Sequence, residues 1–140
     1  MVRLALHKEL FEELRQVVLS DFDASGNESM TFAQLKACRP LQHFINEVLR
    51  LNPVVPFNAR VAVRDTTLPV GGGVDGKSPV AVRKGTNVLY SIYTMHRRKD
   101  LWGEDALLFD PKRWERRLSS SWQFLPFVGL QARIGENAHR

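Results

Sequence analysis

Three short stretches of this 140-residue chain carry residues whose types and spacing could do chemistry. Gly71 to Ser78, GGGVDGKS, fits the phosphate-loop pattern G-x-x-x-x-G-K-[ST]. That chemistry needs a buried strand leading in and a helix starting at the lysine, so that backbone amides point at phosphate. Here Lys77 is followed by Ser78-Pro79-Val80-Ala81-Val82, which reads as a strand, and the arm before it, TTLPV, holds a proline unsuited to a central strand. A hairpin turn is expected, with nucleotide binding kept as the weaker alternative. Asp21 to Gly26, DFDASG, opens like a calcium-binding EF-hand loop. Its twelfth position should be a bidentate glutamate and is Phe32; its eighth should be apolar and is Glu28. An ordinary polar connection is expected there. Glu47 and Arg50, three apart on a helical stretch, put opposite charges on one side, an arrangement worth only about 0.2–0.5 kcal/mol if exposed.

The elements that must position these residues follow from periodicity. Leu4, His7, Leu10, Phe11, Leu14, Val17 and Val18 recur at helical spacing and predict one amphipathic helix over roughly 3–18. Thr31 to Ala37 predicts a short helix. Pro40 suits the first turn of the next one, where Leu41, Phe44, Ile45, Val48 and Leu51 form an apolar stripe, with Glu47 and Arg50 at its flank. Pro53 and Pro56 end it. Residues 57–70 and 79–94 are rich in β-branched residues and predict strands on either side of the glycine-rich turn. After Met95 the chain reads as a long irregular segment whose aromatics, Trp102, Phe109, Trp114, Trp122, Phe124 and Phe127, need something to pack on. Helices first, then a small antiparallel sheet, then an ordered loop give an α+β class, not βαβ alternation.

Apolar residues at 44% and charged residues at 25% fit one ordinary globular domain. The net charge of +5 is spread along the chain, densest at Arg97-Arg98-Lys99 and at Lys112, Arg113, Arg116 and Arg117. Without aromatics interleaved for base stacking this reads as a solvated basic face, and no nucleic-acid partner is expected. No run approaches the roughly 18–20 apolar residues of a membrane span. Cys38 stands alone, so no internal disulfide is possible, and it reads as a small buried residue.

Taken in order, Glu47-Val48-Leu49-Arg50, then Asn58-Ala59-Arg60, MHRRKDLWG, Phe109-Asp110-Pro111-Lys112-Arg113-Trp114 and FLPFVGLQARIG resemble the cytochrome P-450 family over residues 4 to about 129. That family has a Glu-x-x-Arg helix, a small sheet, a Phe-x-Pro-x-Arg-Trp meander and a Phe-x-x-Gly-x-Arg-x-Cys-x-Gly loop. The stretch from LRLNPVVPF to MHRRKDLWG looks most like the fungal branch that hydroxylates n-alkanes and fatty acids. The resemblance implies a partial domain of that mostly helical fold: helices over about 3–52, a sheet over about 54–95, and the meander and haem loop over about 96–140. It implies an oxidoreductase, a haem-dependent monooxygenase served by an NADPH-dependent reductase and acting on a long apolar substrate. Its full-length members would lie at the endoplasmic reticulum membrane, while this chain is expected to be soluble or cytoplasmic. It further implies that Glu47, Arg50 and Arg113 form a buried ion network, that Arg60 and Arg133 meet the haem, and that Val54, Val55 and Pro56 line the substrate pocket.

The chain departs from the family after Phe127-Val128-Gly129. Arg133 and Ile134 can be placed, but Gly135 stands where the iron-binding cysteine is expected, and Cys38 lies far upstream. Thiolate donation drives O–O cleavage in this family, so the chain is expected to be a fragment with no metal ligand and no turnover of its own. A non-catalytic remnant or interaction module is the alternative. It would use the apolar face of the first helix and the meander aromatics as a sticky surface.

Overall fold

The structure, a computed structural model, describes residues 2–22, 31–116 and 122–127. Its first apolar stripe forms two helices where one was expected over 3–18. α1 (Val2–Leu6) stops at His7, whose backbone leaves the helical region at φ −126°, and α2 (Lys8–Asp21) starts directly after. The His7 ring is stacked on Phe109 with centroids 5.2 Å apart, a contact from far along the chain that local periodicity does not encode. Of the stripe only Leu14 is buried, and Phe11 stays 42% exposed.

α3 (Phe32–Ala37) opens on a capping box. Thr31 Oγ1 accepts from the Gln34 amide, and Gln34 Oε1 accepts in return from the Thr31 amide at 2.8 Å, so two otherwise orphaned donors are satisfied. α4 (Arg39–Leu51) follows with Pro40 in its first turn, where a missing N–H costs nothing. It ends as the Asn52 amide closes on the Val48 carbonyl at 2.7 Å, one residue before Pro53. α4 buries Phe44 and Leu51, but also Glu47 and Arg50, while Ile45 is 40% exposed. The buried face is therefore turned from the simple apolar stripe, with the charged pair at its centre rather than its flank.

The strands are β1 (Phe57–Val61), β2 (Thr66–Gly72), β3 (Ser78–Val82) and β4 (Asn87–Ser91). They make two separate antiparallel ladders, β1 with β4 and β2 with β3, where one small sheet was expected. The chain turns between the ladders at Ala62–Asp65 and Arg83–Thr86. There the Ala62 amide reaches the Thr86 carbonyl at 3.0 Å, and Asp65 Oδ1 accepts from the Lys84 amide at 2.7 Å. Those crosslinks interrupt strand pairing, and the β2–β3 hairpin stands out beyond them.

After β4 the chain is less irregular than its composition suggests. Single helical turns α5 (Ile92–Met95), α6 (Lys99–Trp102) and α7 (Arg113–Arg116) follow, with α5 packed on β1 and α7 on α4. Trp102 is fully buried, with Trp114 at 5.8 Å and Phe124 at 6.4 Å from its ring. Trp114 and Phe124 meet edge to face at 4.6 Å, a geometry favoured by ring quadrupoles. The core thus joins Phe44, Leu51, Ile92, Trp102 and Ala106 to four buried polar side chains: Glu47, Arg50, His96 and Arg113. Among the described residues no helix is long and apolar enough to cross a membrane.

Candidate functional site

Residues three apart on α4 point the same way, so the Glu47 carboxylate and the Arg50 guanidinium meet as a two-pronged pair: Nε to Oε2 at 2.9 Å and Nη2 to Oε1 at 2.8 Å. Both side chains are completely buried. Burial of charge is tolerable only where every donor and acceptor finds a partner, and here each does. Arg50 Nη1 donates to the carbonyls of His96 and Ala106, both at 2.7 Å, and Nη2 also donates to the Leu108 carbonyl at 3.1 Å. All five guanidinium N–H groups are engaged. Glu47 also accepts from the Asp110 amide at 3.0 Å and from the Trp114 indole at 3.1 Å. The guanidinium lies over the Trp102 ring, 5.1 Å from its centroid.

Arg113 joins from α7. Its Nε faces Glu47 Oε1 at 3.6 Å, an ion-pair distance rather than a hydrogen bond. Its closer partner is Asp105, reached at the carboxylate by Nη1 and at the carbonyl by Nη2, both at 2.9 Å, while Nη1 also donates to the Trp102 carbonyl. Burial works against the Arg113 charge, but the Asp105 hydrogen bond and the Glu47 charge outweigh it and raise the pKa. The same hydrogen bond holds Asp105 below the usual carboxylate range. The structure therefore brings Glu47, Arg50 and Arg113 together and adds Asp105, Trp114 and three backbone carbonyls. Sequence reasoning missed Asp105 and Trp114 as members. Trp114 stood next to Arg113 inside the meander motif, which was a usable signal; Asp105 had none.

The other expected site residues are scattered. Arg60 is half-buried on β1, its Nη1 bonded to Asn58 Oδ1 and to the Ala59 carbonyl, with its guanidinium 5.8 Å from the Tyr90 ring. Val54, Val55 and Pro56 sit on the exposed link between α4 and β1, Val54 at 67% exposure, and form no enclosed pocket among the described residues. Arg133 lies outside the described residues, as do Gly129 and Gly135. The basic runs are not a free cationic face: Arg98 pairs with Asp100, Lys99 with Glu104, Arg116 with Asp110, and Arg113 is buried. At Gly71–Ser78 the Gly71 amide bonds to the Gly76 carbonyl at 2.8 Å, closing a turn. Ser78 begins β3, so no helix amides follow Lys77. Of the calcium-like loop, Asp21 ends α2, and positions 23–30 lie outside the described residues.

A two-charge helix locked to a tryptophan-bearing loop by a second arginine is a specific arrangement, and comparison with known proteins decides its kinship. The family model for cytochrome P450 matches residues 1–132. The chain belongs to the cytochrome P450 family. It is 52% identical over 130 residues to cytochrome P450 monooxygenase alt2 of Alternaria solani, covering 90% of this chain and 24% of that protein. It is 51% identical over 129 residues to cytochrome P450 52E1 of Candida apicola, covering 90% and 25%. Among solved structures, a zebra fish cytochrome P450 with progesterone superposes with a TM-score of 0.73 at 27% identity, covering 95% of this chain and 28% of that one. The chain spans about a quarter of the length of the relatives it matches.

The P450 cofactor is haem, its iron held by a cysteine thiolate. Cys38 is the one cysteine of this chain, buried between α3 and α4 at the end of α4 away from Arg50. It precedes Arg50 by twelve positions, about 18 Å along the helix axis. Among the described residues no cluster of His, Cys, Asp and Glu could hold a metal ion. The donor set therefore does not fit the axial position of a haem-thiolate centre, although the half-buried Arg60 guanidinium is a chemically suitable partner for a propionate.

Proposed function

We propose that this chain supplies the ion-locked scaffold of a haem-dependent monooxygenase, the part that fixes the meander against the Glu-x-x-Arg helix, and that by itself it does not turn over. The observation that carries the reading is the satisfied burial of Glu47 and Arg50: eight polar contacts hold α4, the end of α5, α7 and the 106–110 turn in one arrangement. Such a cluster gives a rigid floor and performs no proton transfer or bond breaking of its own. The substrate class of the whole enzyme is long and apolar, n-alkanes or fatty acids, in line with the fungal resemblance of residues 49–103. Electrons would come from an NADPH-dependent reductase. In that enzyme Arg60 and Arg133 would meet the haem propionates, and Val54, Val55 and Pro56, exposed here, would be covered as part of the substrate channel. Gly135 in place of cysteine removes the thiolate, so no reaction step is assigned to this chain.

Two measurements test the reading. Purified chain with added haemin and carbon monoxide is expected to give no thiolate-type Soret band; a strong one overturns the inactive assignment. A chimera carrying residues 4–127 in place of the matching quarter of the Candida apicola relative is expected to bind haem and hydroxylate an n-alkane. A chimera that folds and binds haem no better than one lacking the segment would remove the scaffold assignment.

The remnant or interaction-module reading draws on one observation: Phe11, Leu19, Val54, Phe57 and Leu89 are more than two-fifths exposed, apolar side chains that a partner could cover. Size-exclusion chromatography separates the two readings, since a purely adhesive remnant self-associates in proportion to its concentration.

A further inference from the structure

His96 is fully buried, yet it lies outside the ion network of Glu47, Arg50 and Arg113 as a side chain. It caps the end of α5, with its backbone carbonyl taken by Arg50. Its ring bridges α4 and the 122–127 segment. Nδ1 lies 3.1 Å from the Arg50 carbonyl on α4, and Nε2 lies 3.0 Å from the Leu125 amide in the 122–127 segment. A carbonyl can only accept and an amide can only donate. Nδ1 must therefore carry the proton and Nε2 must be bare, which makes the ring neutral and its tautomer unique.

We propose that His96 is a positioning residue, a clasp that pins the 122–127 segment to α4 through both ring nitrogens and lets go when the ring is protonated. The groups facing the ring leave protonation no support. From α4 comes the Arg50 guanidinium, and from its own turn Arg97, both positive. From α6 comes the edge of Trp102 at 5.9 Å, and from the segment itself Phe124 at 5.4 Å, both uncharged. The carboxylate of Glu47 is already engaged by Arg50, Asp110 and Trp114. A second N–H on Nε2 would point at the Leu125 N–H, donor against donor. Burial above all, with the two arginines, lowers the ring's pKa from 6.5 to about 4, while the Arg50 carbonyl bond raises it and is outweighed. The clasp is thus closed at neutral pH and opens only in acid. The 122–127 segment that it fixes runs up to Phe127, where the resemblance to the family's iron-binding loop begins. The inference stands on this chain's own atoms and does not depend on the oxygenation reading.

The test uses the 140-residue chain with no haem, so its failure and the failure of the proposed function are separate events. Long-range proton–nitrogen correlation on histidine-labelled protein reads the tautomer, and hydrogen exchange reads the Leu125 amide. The expected result is an Nδ1–H ring that titrates near pH 4, with a Leu125 amide protected while the ring is neutral. An Nε2–H ring, a mixed tautomer titrating near 6.5, or an unprotected Leu125 amide overturns the proposal. Variants sharpen it. His96→Asn keeps a donor near the Nδ1 position and loses the distal acceptor, so Leu125 exchange is expected to rise at least tenfold. His96→Gln reaches further with an amide oxygen and is expected to restore most of the protection. Equal exchange in His96→Ala, His96→Asn and His96→Gln would mean that the ring only fills space, and the clasp would be abandoned.

Discussion

Glu47 and Lys77 each belong to a short motif that matches a functional pattern letter for letter, and the fold treats them in opposite ways. Glu47 lies in a dry core with four hydrogen bonds to its carboxylate, while Lys77 sits exposed on a hairpin tip beside Val74, which is wholly solvent-facing. The difference teaches that a motif acquires physical content from what packs over it. Four long-range elements converge on Glu-x-x-Arg. The glycine-rich stretch is the turn of the β2–β3 hairpin, closed by its own Gly71–Gly76 bond.

The comparison is broken most directly at the core. Arg50→Ala strips the partners from Glu47 and from three carbonyls at once, and Glu47→Gln leaves Arg50 an uncompensated buried cation. Each is expected to cost about 3–5 kcal/mol, with Arg50→Ala the worse, read as loss of the cooperative urea transition. A change below about 1 kcal/mol at either position would mean that the pair is hydrated and the contrast with Lys77 is false.

Acid should weaken the same region next. A ring with a folded pKa of about 4 and an ordinary value of 6.5 stabilises the fold in full above pH 6.5, and that contribution disappears as pH falls through 4. The difference corresponds to about 3 kcal/mol at most. The urea midpoint should therefore drop between pH 7 and pH 4 more steeply in the parent than in His96→Gln; parallel curves would count against a buried neutral His96. Trp114→Phe keeps a ring against Phe124 but removes the indole N–H to Glu47 along with the fused pyrrole, so a loss of about 1.5–3 kcal/mol is expected, with the part due to the N–H read from its coupling to Glu47→Gln in a double-mutant cycle.

The hairpin should respond only to backbone changes. Gly76 has φ +69° with open space where a Cβ would go, so Gly76→Ala is expected to cost about 1–2 kcal/mol from the left-handed backbone alone. Lys77→Ala should stay within about 0.5 kcal/mol. A larger effect at Lys77, or magnesium-dependent ATP binding that it abolishes, would give the hairpin a function and erase the contrast.

Much of this was legible in the chain before any fold was seen. The α+β order follows from a change of periodicity, helical before Pro53 and strand-like after it. The capping residue Thr31 and the position of Pro40 mark two helix starts by local chemistry alone. The ordered motifs were enough to suggest kinship, because each has a fixed place along the chain. What local patterns could not carry was the partnering across distance. His7 breaks the first helix against Phe109, and the expected basic runs are neutralised by Asp100, Glu104 and Asp110. Whether Glu47 and Arg50 formed a weak exposed pair or a buried one depended on carbonyls at 96, 106 and 108 and on the Trp114 indole. Sequence alone determined which residues stand one turn apart on α4, since helix geometry sets that. Only the tertiary structure decided that water is excluded from them, because desolvation is a property of everything that packs over a side chain and not of the side chain itself.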